Sequence, residues 1–219
     1  WITDPYRYNH PYDHKASIPV IGNVCGDRLP EVIVDGWYSL FVFSGTSGEL
    51  LYSFPHPESD PWMGPQTVCL ADLEPENPEE ISRDEMAVVI RDKLYIFRVQ
   101  DGALVILDNE ALNSTSDAAR FSWVSARDLN STGPDEIIIT RTVKNSGLPW
   151  NSWLHLYDFE AGEVYREKGW IDSMFFGIPA VGSLPMSGDR IAFSRRLSSS
   201  TYSPVFLLDP DDLSTPLEC

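Results

Sequence analysis

Short runs of β-branched and aromatic residues recur along the whole chain, and each run is bounded by Gly, Asp, Asn or Pro. Examples are Glu31–Val34, Leu40–Phe43, Leu94–Phe97 and Glu136–Ile139. Runs of this length and composition are typical of β-strands, and no stretch is periodic over enough residues to favour a long helix. The pattern therefore predicts an all-β chain.

The predicted strands recur in groups of four over about 50 residues. The first strand of each group ends on a polar residue, at Asn23, Asp72, Asp128 and Ser183. This recurrence predicts a β-propeller of four four-stranded antiparallel blades, whereas a duplicated sandwich would explain the strand number but not the repeated hairpin. The predicted organisation is a leader or closing segment, 1–17, before a propeller domain, 18–219, with repeats at about 18–66, 67–121, 122–177 and 178–219.

The sequence does not decide how such a ring closes. The last predicted strand, 214–219, is weak because it contains Pro216 and few apolar residues. A sheet that ends without a neighbour leaves exposed edges. Either the leader 1–17 adds a strand to the fourth repeat, or the four repeats form half of a larger ring that a second chain completes.

Two stretches carry a family resemblance. The stretch 28–54, RLPEVIVDGWYSLFVFSGTSGELLYSF, resembles the FG-GAP or VCBS-type repeats of integrin alpha-subunit propellers and of many secreted or cell-surface proteins. The stretch 126–140, ARDLNSTGPDEIIIT, is similar to the same repeats through its D-x-N-x-T-G loop. The resemblance implies a propeller but little about the task, since such propellers serve as lectins, adhesion modules, scaffolds and enzymes.

The resemblance also implies a calcium site. Loops of this family hold Ca²⁺ through oxygen ligands at alternate positions, in the form D-x-D-x-D-G-x-x-D, which suits a hard cation. The third repeat places Asp128, Asn130, Thr132 and Glu136 at the ligand positions of this loop. The alternative is that these residues only shape the turn through hydrogen bonds to the backbone.

The net charge of the sequence argues against a nucleic-acid partner, and the length of its apolar runs argues against a membrane-spanning segment. The sequence has 16 Lys plus Arg and 33 Asp plus Glu, a net charge of −17. Nucleic-acid binding requires clustered basic residues, so we expect no nucleic-acid partner. No apolar run approaches the roughly 20 residues needed to cross a bilayer, so we expect no membrane insertion.

Several features favour an extracellular or cell-surface glycoprotein. The chain begins at Trp1 rather than Met, as expected of a processed or incomplete chain, and carries N-x-[ST] sequons at Asn113 and Asn130. Its three cysteines show no zinc-binding spacing. They predict either a Cys25–Cys69 disulfide with Cys219 left over, or three separate cysteines.

Large aromatic residues concentrate in predicted loops. In a four-stranded blade, the loops between the second and third strands share one face with the connections between blades. Exposed aromatic residues grouped on one face suit a protein partner or the stacking of sugar rings. Those predicted on this face are Trp37, Tyr38, Trp62, Trp150, Phe175, Phe176 and Tyr202.

The sequence favours binding over catalysis. His155 lies within a predicted strand, and no nucleophile elbow, phosphate-binding loop or H-E-x-x-H motif occurs. We therefore expect an extracellular binding, adhesion or assembly module, not an enzyme, whose loop face contacts a protein partner or a second copy. The alternative is a carbohydrate-binding, lectin-like propeller, and less favoured is an enzyme that acts on a polysaccharide.

Overall fold

The computed structural model describes residues 18–36, 39–56, 67–73, 83–90, 93–112, 119–129, 133–144, 149–184, 188–197, 204–214 and 217–218. These residues form sixteen β-strands in four sheets of four, each antiparallel with its strands in chain order, and they contain no helix. The predicted fold class, an all-β chain of four four-stranded antiparallel propeller blades, is confirmed. No helix in these ranges is long and apolar enough to span a membrane.

The chain divides into two compact units, Trp1–Asn113 and Ser114–Cys219, called unit 1 and unit 2. Unit 1 holds sheets 1 and 2. Sheet 1 consists of β1 (Val20–Gly22), β2 (Glu31–Asp35), β3 (Ser39–Ser44) and β4 (Leu50–Pro55). Sheet 2 consists of β5 (Val68–Ala71), β6 (Glu85–Ile90), β7 (Lys93–Gln100) and β8 (Ala103–Ala111).

Unit 2 holds sheets 3 and 4. Sheet 3 consists of β9 (Ala119–Arg127), β10 (Glu136–Lys144), β11 (Trp150–Asp158) and β12 (Glu163–Ile171). Sheet 4 consists of β13 (Ser173–Leu184), β14 (Gly188–Leu197), β15 (Val205–Leu208) and β16 (Leu217–Glu218). The weak last strand predicted from the sequence is therefore present, but it spans only two residues.

The first three sheets repeat the same local geometry. Their third-to-fourth strand turns contain Gly48, Gly102 and Gly162, each with φ between 68° and 75°, a conformation that glycine adopts without steric cost. Each sheet also has a β-bulge between its third and fourth strands, after Val42, Ile96 and Leu156. The bulge and the glycine turn are thus properties of the repeat.

Each unit has a core between its two sheets. In unit 1, alternation along β2 directs Ile33 inward, where it packs with Leu40 and Val42 of sheet 1 and with Met86 and Phe97 of sheet 2. Burying side chains of this size contributes roughly 2 kcal/mol each. The corresponding core of unit 2 joins sheets 3 and 4 through Ile138, Leu154, Leu156, Phe175, Ile191, Phe193, Phe206 and Leu208.

The start of the fourth repeat differs from the prediction. The sequence placed it near Ile178, with Phe175 and Phe176 in a loop, whereas β13 begins at Ser173 and includes both residues. Phe175 is buried, 1% exposed, in the core of unit 2. A register shift between Phe176 and Ala180 accommodates the intervening glycine and proline within the strand.

Candidate functional site

The end of β10, the start of β11 and the connection between β12 and β13 lie at the same end of unit 2. Lys144, the last residue of β10, pairs with Trp150, and Asn151 pairs with Ile171 on the neighbouring strand. Ser173 opens β13 two residues later and pairs with Leu197, the last residue of β14. We call this region the loop end of unit 2.

Trp150 is the described member of the predicted aromatic set whose side chain lies at this end. It is the first residue of β11, not a loop residue, and it is half-buried. Its ring centroid is 6.0 Å from that of Phe121 on β9, and Phe121 lies 6.2 Å from Trp123. Trp150 is therefore held by a row of aromatic rings and presents only part of its surface.

Ile171 is the most exposed large apolar side chain among the described residues, at 79%. It ends β12 and precedes Asp172, whose φ of 54° makes the tight connection into β13. Sequence reasoning missed Ile171 because a single isoleucine at a strand end is common. The name loop-end patch is used for Phe121, Trp150 and Ile171, which lie at one end of sheet 3, with Ile171 on the opposite face from the two aromatic rings.

A buried polar network fixes the backbone beneath the patch. The hydroxyl of Ser152 donates to the carbonyl of Ser173 at 2.7 Å, and the hydroxyls of Thr142 and Ser152 are 3.2 Å apart. The backbone N–H of Phe175 donates to Thr142 Oγ1 at 2.9 Å. Because these groups are buried and satisfied, they tie β10, β11 and β13 into one rigid support.

A fixed positive charge lies near the same end. The guanidinium of Arg195, near the end of β14, sits 5.4 Å from the ring centroid of Trp170 and 4.6 Å from that of Phe206. Cation–π contacts of this kind hold an arginine in one orientation. The loop end therefore combines apolar, aromatic and cationic groups in a chain of strongly negative net charge.

Apart from Trp150 and Phe175, the structure does not describe the side chains of the predicted partner-binding residues. Phe176 lies within β13, so its placement in a loop was wrong, and only its backbone is described. Trp37, Tyr38, Trp62 and Tyr202 lie outside the described residues. The sequon residues Asn113 and Asn130 also lie outside them, so glycosylation there stays a prediction.

The structure describes two of the four predicted calcium ligands, Asp128 and Glu136. Asp128 Oδ2 accepts a hydrogen bond from the backbone N–H of Gly133 at 3.3 Å, and Glu136 Oε2 accepts one from Leu129 at 2.7 Å. Asn130 and Thr132 lie outside the described residues. The described oxygens thus shape the turn, and no group of three His, Cys, Asp or Glu residues within the described ranges could hold a metal.

The same loop-closing contact recurs in sheets 1 and 2. Glu31 Oε2 accepts hydrogen bonds from the N–H groups of Val24 and Cys25 at 3.0 and 3.1 Å. Glu85 Oε2 accepts one from Leu73 at 3.0 Å, while its other oxygen binds Arg98 at 2.6 Å. A glutamate at the start of the second strand is therefore a structural element of the repeat, because it satisfies amides that the loop leaves without a strand partner.

Sheet 4 reverses the charges at this position. Arg190 precedes Ile191, which pairs with Leu208, and its Nη1 lies 3.1 Å from Asp209 Oδ2. In sheet 3 the equivalent neighbours are both acidic, since Glu136 precedes Ile137, the partner of Tyr157, and Asp158 follows Tyr157. Burial, together with the charges of Asp128 and Asp158, raises the pKa of Glu136 above its ordinary value.

The structure does not join Cys25 and Cys69 in the predicted disulfide. Cys25 lies in the loop that Glu31 closes, where burial first and the charge of Glu31 second raise the pKa of its thiol to about 12. Cys69 is on β5, paired with Ala87 within sheet 2. Cys25 and Cys69 thus belong to different sheets, and Cys219 lies outside the described residues.

No family model matches the sequence, and the comparison with curated proteins finds no significant match. The resemblance to FG-GAP repeats therefore stays a prediction, and the arguments for function rest on the residues described above.

Two histidines among the described residues, His56 and His155, are buried. His56 Nε2 lies 2.8 Å from Asp35 Oδ1, with both side chains almost fully buried. Burial raises the pKa of Asp35, and the contact with His56 opposes that rise. His155 is packed within sheet 3, as expected for a strand residue, with Nδ1 3.5 Å from Glu167 Oε2. The Asp35–His56 pair was not predicted because its partners are far apart in sequence; it joins the ends of β2 and β4.

Proposed function

We propose that this protein is an extracellular binding and assembly module that contacts a protein partner through the loop end of unit 2, and that it catalyses no reaction. The observation that carries the proposal is Ile171, which is 79% exposed at the end of β12. It lies at the same end of sheet 3 as Trp150 and Phe121, on the opposite face of the sheet. Exposed apolar side chains, aromatic rings and arginine are typical of protein-binding surfaces.

The composition of the patch supports a protein partner more than a glycan. Sugar rings stack on open aromatic faces, and Trp150 turns part of its ring toward Phe121 at an interplanar angle of 39°. Ile171 offers an aliphatic surface without hydrogen-bonding groups, which suits the apolar centre of a protein interface. The two sequons and the resemblance to surface-protein repeats support an extracellular or cell-surface location.

The proposal is tested by the binding of labelled protein to intact cells of its source. We expect saturable binding that Ile171→Ser weakens at least about tenfold, because the exposed isoleucine lies where a partner would bury it. Ile106→Ser, at an exposed isoleucine on β8 in unit 1, is the matched control and keeps wild-type binding.

Three results would contradict the proposal. Equal affinity for the wild type and Ile171→Ser would exclude the loop-end patch. Loss of binding after enzymatic removal of cell-surface glycans, with specific signals on a glycan array, would favour the lectin alternative. Turnover of a polysaccharide by the purified chain would contradict the absence of catalysis.

Calcium is a separate proposal for the loop of the third repeat. The charges of Asp128 and Asp158 act on Glu136, and a divalent cation bound in this loop would offset that repulsion. We expect Ca²⁺ to raise the melting temperature by a few degrees relative to EDTA, and Glu136→Gln to remove that difference. Melting curves that coincide in Ca²⁺ and EDTA would contradict the proposed calcium site.

A further inference from the structure

The charged residues of unit 2 are divided unevenly between its two ends. Opposite the loop end lies the turn end, which holds the end of β9, the start of β10 and the turn 159–162 between β11 and β12. These parts lie together because Arg127 pairs with Glu136 on the neighbouring strand and Asp158 pairs with Glu163. The antiparallel pairing of β9 to β14 therefore allows the residues of the two ends to be compared.

The turn end is rich in acidic residues and the loop end in basic ones. Among the described residues between 119 and 197, those in connections or within three strand positions of the turn end include seven acidic and two basic residues. The same limits at the loop end give one acidic residue, Asp172, and four basic ones, which are Arg120, Lys144, Arg195 and Arg196. Beyond this range, Glu218 on β16 pairs with Phe206. A chain of net charge −17 thus has one end with an excess of basic residues.

Contacts with two aromatic rings hold the side chain of Arg195 at the loop end. Its guanidinium lies 5.4 Å from the ring centroid of Trp170 on β12 and 4.6 Å from that of Phe206 on β15. Its backbone N–H donates to the carbonyl of Pro204 at 3.2 Å, and the residue stays partly exposed. A guanidinium presents its N–H groups in a planar fork that matches the two oxygens of a carboxylate. Because its orientation is already fixed, Arg195 is suited to bind a carboxylate of a partner.

Arg195 and the exposed Ile171 are neighbours around the end of one strand. Trp170, which contacts Arg195, directly precedes Ile171 at the end of β12. The side chains of Trp170 and Ile171 point to opposite faces of sheet 3, and β12 is an edge strand of that sheet. A partner that covers the end of this edge strand therefore meets an aliphatic side chain on one face and a guanidinium beside the other.

We propose that the partner of the loop end is an acidic segment of another protein, in which a carboxylate pairs with Arg195 and a neighbouring apolar side chain packs on Ile171. Because it names the chemistry of the partner that this surface binds, the proposal rests on the proposed function. The division of charge supports it, since the loop end attracts carboxylates and the turn end repels them. The field of unit 2 would therefore also orient the approach of such a segment.

An acidic protein segment fits the loop end better than a sulfated glycan, which would also bring anionic groups. Sulfate groups can pair with Arg195, but a sulfated sugar offers no aliphatic side chain to Ile171, which is 79% exposed. Burial of an isoleucine is favourable against an apolar surface, which a protein segment supplies. The net charge of −17 repels a long polyanion as a whole, so a short segment with few carboxylates is the favoured ligand.

The binding of the labelled full chain to intact cells of its source, measured at rising NaCl concentration, tests the proposal. We expect Arg195→Gln to weaken binding at least about tenfold at low salt and to flatten its salt dependence, because a close charge pair is lost. A short synthetic peptide rich in Glu and Leu should displace the wild-type chain from the cells. The same peptide with Gln in place of each Glu should not displace it.

Two further variants separate the role of the Arg195 charge from a structural role. Arg127→Gln removes the same charge from an exposed arginine at the turn end, so it is the matched control and should keep wild-type binding. Arg195→Lys keeps the charge but not the planar fork, so its affinity should lie between those of the wild type and Arg195→Gln. Urea unfolding checks the fold of each variant, and displacement of the wild-type chain by the two peptides tests the proposal even if Arg195→Gln does not fold.

The outcomes distinguish this proposal from the proposed function. If Ile171→Ser weakens cell binding while Arg195→Gln, salt and the Glu-rich peptide have no effect, the acidic partner is excluded and the protein-binding surface stands. If neither Ile171→Ser nor Arg195→Gln has an effect, both proposals are wrong. Displacement by a heparin oligosaccharide but not by the Glu-rich peptide would overturn the acidic protein segment in favour of a sulfated glycan.

Discussion

His155 shows at the residue scale how burial sets the chemistry of a side chain. It is 1% exposed, and burial first, with the charge of Arg141 second, lowers the pKa of its imidazole to about 4. The neutral form is therefore favoured in the folded state. Because the folded pKa lies below the ordinary value of about 6.5, the resulting stability is present above pH 6.5 and is lost as the pH falls toward 4.

We expect the free energy of unfolding to fall by about 2 kcal/mol more in the wild type than in His155→Leu between pH 7.5 and pH 5. Arg141 and Glu167 are unchanged in the variant, so the difference isolates the imidazole. Urea unfolding at the two pH values measures it. Parallel pH profiles of the two proteins would contradict a buried neutral histidine.

Cys25 gives a second prediction at this scale. Its thiol lies beside the carboxylate of Glu31, and its pKa of about 12 leaves little thiolate at pH 8. We expect iodoacetamide to modify Cys25 in the folded protein at least about 100-fold more slowly than an ordinary exposed cysteine. Peptide mapping after timed alkylation measures the rate, with the urea-unfolded protein as the reference; equal rates in the two states would contradict the prediction.

At the scale of the secondary-structure element, a glutamate that accepts hydrogen bonds from loop amides recurs in sheets 1, 2 and 3. Glu31 is buried at the start of β2, and its carboxylate satisfies two loop amides. Glu31, Glu85 and Glu136 each begin the second strand of their sheet, and the sequence analysis suggested a calcium ligand only for Glu136. The hydrogen bonds that identify the structural role join residues six to twelve positions apart, so only the folded loop reveals them.

We expect Glu31→Ala to destabilise the protein by about 2 kcal/mol, because the buried amide of Val24 and the partly buried amide of Cys25 lose their acceptor. Glu49→Ala, at an exposed glutamate beside the same sheet, is the control and should change stability by less than about 0.5 kcal/mol. Chemical unfolding at pH 7 measures both. Equal stabilities of the two variants would show that the loop does not depend on Glu31.

At strand β13 the prediction from the sequence pattern was wrong, because it placed Phe175 in a loop. Gly177 and Pro179 interrupt an apolar run, and such residues usually end a strand. In the structure Gly177 adopts a φ of 90° within a register shift, and the strand continues to Leu184. Phe175 therefore belongs to the core, where it packs against Phe193 at 5.0 Å, and not to a loop that recognises a partner.

At the scale of the whole molecule, the predicted location outside the cell has a direct chemical consequence. Asn113 and Asn130 both stand in sequons, and extracellular proteins receive N-linked glycans at such sites. We expect the mass of protein from its natural source to exceed that of the chain and to fall on treatment with peptide-N-glycosidase. A mass equal to that of the unmodified chain would contradict the glycoprotein prediction.

The sequence by itself determined the all-β class, the four repeats and the approximate place of most strands within them, with β13 as the exception. These follow from local patterns: alternation along β2, glycine at the third-to-fourth strand turns, and polar residues at strand ends. Local patterns suffice because backbone conformation and side-chain alternation depend on neighbouring residues.

Only the tertiary structure decided which side chains are exposed and which groups meet. It buried Phe175, exposed Ile171, separated Cys25 from Cys69 and brought Asp35 to His56. Each of these outcomes depends on packing or pairing between strands distant in sequence, which residue type alone does not specify.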